Sequence, residues 1–190
     1  YTLSLHDALP ILFQLCGMPF ADFAHLEKSA LVHGVLRYNR IKTGTPMSVE
    51  ILEAAKKAIN GLRNNESSGE DCPDYLFDIM KGDKKRKEEA GYKEYQSALR
   101  RFNNQLKSLS RELHIKSPVT SYTIRHSWAT SAKYQGIPIE MISESLGHKS
   151  IKTTQTYLKG FGLEKRTEAN KLNCFYVENY VTSKHQETIY

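Results

Sequence analysis

The sequence is poor in the features that mark several large functional classes. Its 190 residues hold three cysteines, Cys16, Cys72 and Cys174, an odd number at wide intervals. No pair has zinc-ligand spacing, and an odd, scattered set makes no disulfide framework. A reducing cytoplasm is therefore the expected compartment. No apolar run approaches the ~18 residues of a membrane helix. No group of acidic residues has the ligand spacing of a metal nuclease, so neither a metal nor another cofactor is expected. No internal repeat is visible.

What the chain does have is positive charge. Its 27 Lys and Arg outnumber 21 Asp and Glu, for a net charge of +6. That balance favours a polyanionic partner without proving one. Hydrophobic residues make up 39% and charged residues 25%, as in a soluble protein, and the length suits one domain with a sizeable core.

The chain opens on Tyr1, and residues 1–11 carry no clear helical or strand period. The stretch resembles translated adapter sequence and is expected to be a non-native or disordered leader outside the fold. Residues 12–175 are expected to form the domain and 176–190 a loose tail. Ile11 to Leu26 is apolar with a break at Gly17-Met18-Pro19, and Pro19 suits a first helical turn, so two helices flank that break. His33-Gly34 between β-formers predicts a hairpin. Thr43-Gly44-Thr45-Pro46 predicts a turn before a strand at Met47-Ser48-Val49. Ser48-Val49-Glu50-Ile51 also resembles a capped helix start, with the helix reaching about Asn60. Asn64 to Pro73 is a polar loop, and 81–87 is a basic run containing Lys84, Lys85 and Arg86. Tyr92, Tyr95, Leu99, Phe102, Leu106 and Leu109 give 88–113 a helical period. Further helices are expected at 122–135, from Gly136-Ile137-Pro138 to Leu146-Gly147, at 150–158 and at 163–175. The fold class is α+β, mostly helical with a small antiparallel three-stranded sheet.

One region concentrates chemistry. It reads Tyr122-Thr123-Ile124-Arg125-His126-Ser127-Trp128-Ala129-Thr130, then Leu146-Gly147-His148, then Thr153-Thr154-Gln155-Thr156-Tyr157, with the tyrosine nine residues past His148. Arginine, histidine and tyrosine together suit the handling of a phosphodiester. A guanidinium clamps the non-bridging oxygens, an imidazole moves or shares a proton and a phenol can attack phosphorus once activated. Alone, each has a duller reading: Arg125 as a surface ion pair, His148 as a helix end, Tyr157 as one of 11 tyrosines. The joint spacing outweighs these.

Over residues 12–175 these motifs resemble the catalytic domain of the tyrosine recombinases, the phage integrase family, and most of all integrases of Bacteroidetes mobile elements. The resemblance implies site-specific DNA recombination without metal or ATP. Tyr157 would be the nucleophile forming a 3′-phosphotyrosyl intermediate, with Arg125 and His148 on the phosphate. Lys42, in Arg40-Ile41-Lys42-Thr43-Gly44, would be the general acid for the 5′-oxygen. His126 would support from behind. Tyr122 occupies the usual histidine position. The family's first arginine falls on Pro19, or one residue before the glycine on Cys16, and neither carries charge. Arg37 and Arg40, near Lys42, are the candidates to replace it and to contact DNA, with Lys84, Lys85 and Arg86 as further contacts. The implied partner is double-stranded DNA, held by a homotetramer joined through the helix at 163–175 and by an N-terminal clamping domain that these residues do not include. Two other readings remain: a decayed copy that only binds DNA, and a type IB topoisomerase.

Overall fold

The computed structural model describes residues 5–63, 75–80, 88–158, 160–172 and Cys174. Helix α1, Leu5–Gln14, opens it. Leu5, Ala8, Ile11, Leu12 and Leu15 are buried in the main core. Residues 5–11 therefore belong to the fold, contrary to the expected leader. Their apolar positions keep helical spacing, but Pro10 lies inside the helix. It removes one backbone donor and disguises the pattern.

The end of α1 sets up the site. Cys16 and Gly17 are both left-handed, with φ of 57° and 61°, and the Met18 N–H returns to the Leu12 carbonyl at 3.2 Å, a common closure of a helix C-terminus. A Cβ on Gly17 would stand 2.8 Å from the Cα of Arg125. Only glycine lets this turn rest directly on the backbone of a later helix.

Helix α2, Phe20–Ala24, follows and buries Phe20, Asp22 and Phe23. Strands β1 (Leu31–Val32), β2 (Val35–Asn39) and β3 (Pro46–Glu50) form an antiparallel sheet in that order. His33 and Gly34, with φ of 50° and 80°, make the tight hairpin whose twist matches the strands. The register pairs Val32 with Val35 and Leu36 with Val49. Met47 and Val49 face inward and their neighbours outward. Ser48 thus lies in a strand, and helix α3 begins later, at Glu53–Arg63. Strand pairing and the two-residue period prevail over the local capping pattern.

Helix α4, Glu88–Glu112, lays Ala98, Phe102 and Leu106 on the core. Phe102 stacks on Phe20 with ring centroids 4.7 Å apart. Helix α5, Ser121–Tyr134, starts where the Thr120 N–H donates to the Thr123 hydroxyl at 3.0 Å. Helices α6 (Ile139–Ser145) and α7 (Ile151–Tyr157) complete this unit. Ala129, Ala132, Ile142, Leu146 and Leu158 form a second, smaller core. The chain from Lys159 onward is a separate unit, helical and solvent-exposed at 163–172. The expected loop at 64–73, the basic run at 81–87 and the tail lie outside the described residues. No described helix is long and apolar enough to cross a membrane.

Candidate active site

Two arginines converge on one backbone carbonyl. Arg125, in the second turn of α5, is 2% exposed. Its Nη1 donates to the Gly17 carbonyl at 3.1 Å and its Nη2 to the Leu146 carbonyl. Arg40, just past β2, is 7% exposed. Its Nη1 donates to the same Leu146 carbonyl at 2.6 Å, and its Nε to the Asp22 carboxylate at 3.1 Å. The other Asp22 oxygen accepts the Ile41 N–H at 2.9 Å, which ties α2 to the loop between β2 and β3.

The Leu-Gly-His tripeptide explains this convergence. Leu146 is fully buried and anchors the small core. It caps α6, so its carbonyl lies outside the helical ladder and is free to accept. Gly147 turns the chain at φ 64°, and a Cβ there would sit 2.5 Å from the Cδ of Arg40. His148 then faces the guanidinium of Arg125, with Nε2 3.4 Å from Nη2. Its Nδ1 meets the Thr154 hydroxyl at 2.8 Å.

Charge in the site is unbalanced. Of the two buried guanidiniums only Arg40 has a carboxylate, Asp22, and Arg125 has no carboxylate partner among the described residues. Burial and the charge of Arg40 lower the pKa of Arg125. Burial, then Arg125, Arg40 and Lys42, lower His148 to about 4, so it is neutral at physiological pH. A buried pair of like charges is costly unless an anion joins it, and a phosphate oxygen meets that need with the fork geometry of arginine.

Tyr157 ends α7 beside these groups. Its hydroxyl is buried without a hydrogen-bond partner. Its ring lies flat on His126, with centroids 3.8 Å apart and planes 5° apart. Tyr122 and His148 each present an edge to it at 5.8 Å. Burial, with the neighbouring Tyr122 phenol, raises the Tyr157 pKa, while Arg125 and Arg40 oppose the rise. Tyr122 is half exposed and also meets His126 edge-on at 5.0 Å. Lys42 is exposed on the loop after Arg40, close enough for its charge to act on His148.

The sequence candidates thus divide. Arg125, His148, Tyr157, Tyr122 and His126 come together, Arg40 joins them from inside, and Lys42 stands at the rim. Arg37 does not join them. It lies on the exposed face of β2 and lines a separate cleft with His25, Tyr92 and Tyr95. Pro19 is the N-cap before α2, and burial raises the pKa of the Cys16 thiol, so neither offers a cation. Lys84, Lys85 and Arg86 fall outside the described residues. Sequence reasoning missed Asp22 and Thr154. An acid inside Phe20-Ala21-Asp22-Phe23 was a signal, since a buried carboxylate requires a paired cation. Among the described residues no group of His, Cys, Asp and Glu is arranged to hold a metal.

The model of the phage integrase family matches residues 3–161. The chain belongs to this family. A resolvase of Escherichia coli is 47% identical over 47 residues, which are 25% of this chain and 18% of the resolvase. The tyrosine recombinase XerD of Halalkalibacterium halodurans is 41% identical over 56 residues, 30% of this chain and 19% of that protein. Among solved structures, the XerA recombinase superposes with a TM-score of 0.61 at 20% identity, over 89% of this chain and 56% of that one. The Tn1549 transposon integrase bound to circular intermediate DNA gives 0.59 at 15% identity, over 87% and 58%. These integrase-family structures share the mostly helical fold with a small sheet. The chain spans less than two thirds of the length of these relatives.

Proposed function

We propose that this integrase-family domain cuts and rejoins double-stranded DNA in site-specific recombination, through a covalent link to Tyr157 and without metal or ATP. The observation that carries the reading is the pair of buried arginines on the Leu146 carbonyl, facing His148 and Tyr157. Arg125 and Arg40 hold the non-bridging oxygens of the scissile phosphate and oppose the charge that builds in its pentavalent transition state. The Tyr157 oxygen gives up its proton to solvent and attacks phosphorus, the bond to the 5′-oxygen breaks and Lys42 protonates that oxygen as it leaves. A 5′-hydroxyl from another strand reverses the step.

Arg40 takes the part of the family's first arginine, which Pro19 and Cys16 leave unfilled. Asp22 holds it in place. Tyr122, at the usual histidine position, suits a mobile-element integrase like those of Bacteroidetes. A homotetramer on DNA, joined through the exposed helix near the C-terminus, and a cytoplasmic location complete the reading. The structural relatives bearing on assembly include a lambda integrase tetramer bound to a Holliday junction.

The test is a pool of nicked suicide duplexes with randomised flanks, incubated with the protein. A covalent protein–DNA species that Tyr157→Phe abolishes supports strand cleavage. DNA binding with no covalent species in the unaltered protein would mean a clamp without chemistry. Relaxation of supercoils with no joining between two duplexes would mean a topoisomerase.

A further inference from the structure

We propose that Thr154 is a positioning residue that fixes the Nδ1–H tautomer of His148 and so holds Nε2 as an acceptor against the Arg125 guanidinium. This inference deepens the strand-cleavage reading above and rests on it for the last step only.

The argument begins with what each partner can do. A guanidinium only donates. The Arg125 Nη2 lies 3.4 Å from the Nε2 of His148, so that ring nitrogen turns its lone pair toward the arginine. A neutral imidazole carries one proton, which then sits on Nδ1. The atom facing Nδ1 is the Thr154 hydroxyl oxygen at 2.8 Å, a good acceptor distance. Thr154 is fully buried, so no water competes for this bond. A buried polar group with one well-placed partner holds that partner firmly, because breaking the contact leaves both unsatisfied.

The surroundings keep the ring neutral. His148 faces Arg125 from α5, Arg40 and Lys42 from the loop after β2, and Tyr157 from α7. Cys16, Glu50 and Glu144 line a cleft that His148 also lines. The cations disfavour a second proton on the ring, consistent with its lowered pKa. Held this way, the ring buttresses the Arg125 guanidinium that takes the scissile phosphate.

Placement on α7 adds a consequence. Thr154 and Tyr157 are three residues apart, one turn of the same helix. Any movement that brings the nucleophile to DNA carries the partner of His148 with it. The buttress of the Arg125 clamp and the nucleophile are therefore set by one element.

The test uses the full chain labelled with ¹⁵N at histidine. Long-range nitrogen–proton spectra near pH 7 should show His148 protonated at Nδ1. Thr154→Val keeps the shape and removes the hydroxyl; it should lose the single Nδ1–H signal. Its cleavage of the suicide duplexes should fall about tenfold or more, with DNA binding unchanged and a shifted pH profile. Thr154→Ser should restore tautomer and rate, which also controls for packing damage in the valine variant. A retained Nδ1–H tautomer in Thr154→Val, or a serine variant as impaired as valine, would overturn the proposal. If the unaltered protein shows the tautomer but cleaves nothing, the recombinase reading fails and the tautomer assignment stands.

Discussion

Arg40 carries the most weight at the residue scale. It is the second guanidinium, beside Arg125, on the Leu146 carbonyl. Arg40→Ala should lower covalent cleavage by about 10² to 10³, the typical cost of one transition-state donor. Arg37→Ala, on the opposite strand face, should leave the rate within about twofold in the same gel assay. Arg40→Ala also strands the buried Asp22 carboxylate, so its melting temperature should fall, and Arg40→Ala with Asp22→Asn should recover part of that loss. His148 predicts a pH effect on stability. Its pKa of about 4 in the fold lies below the usual value near 6.5. As pH falls, the unfolded chain takes up the proton first, so stability present above about 6.5 is lost progressively down to about 4. Urea midpoints measured across that window should slope less in His148→Gln than in the unaltered protein. Arg125, His148 and Tyr157 were legible in the sequence because their spacing is fixed by three consecutive helices. Arg40 was legible only as a candidate, since its role depends on a side chain reaching 106 residues along the chain to Leu146. Asp22 signalled only the need for a cation and not which one, and Thr154 was not legible, because it acts through a bond that only the folded geometry reveals.

The glycine turns decide the outcome for the elements. Gly17 presses on the backbone of α5, and Gly147 presses on the side chains of Arg40 and Met47. Backbone cannot step aside, whereas side chains can. Gly17→Ala should therefore destabilise by about 2–4 kcal/mol, from a disfavoured φ and a rigid clash. Gly147→Ala should cost less stability but displace Arg40, so cleavage should fall more than the melting temperature suggests. Paired thermal melts and cleavage rates separate the two. The same elements show what sequence periodicity can and cannot give. Helix α4 was plain, because six apolar residues repeat at helical spacing over 25 residues. Helix α1 was not, because Pro10 broke its donor pattern and the first residues resembled foreign sequence. The start of α3 was misplaced by a capping signature at Ser48 that strand pairing with Arg37 overrode.

For the whole molecule, the site is assembled from six segments: the turn after α1, α2, the loop after β2, α5, the turn after α6, and α7. The main core seats the first three, and the small core around Leu146 seats the last two. The exposed helix near the C-terminus belongs to a separate unit. Removal of residues after Gly160 should leave a folded first unit but abolish cooperative assembly on DNA. Analytical ultracentrifugation of protein–duplex mixtures tests this, and a truncated chain that still forms the multimer contradicts it. The central claim is that Tyr157, not its neighbour Tyr122, becomes linked to DNA. Both phenols lie within one aromatic cluster, and the gel band alone does not name the attached residue. Peptide mapping by mass spectrometry of the nuclease-trimmed covalent complex does. The account predicts a nucleotide 3′-phosphate on the peptide containing Tyr157. A phosphotyrosyl adduct on the peptide containing Tyr122, or a linkage to a 5′-phosphate, would contradict it.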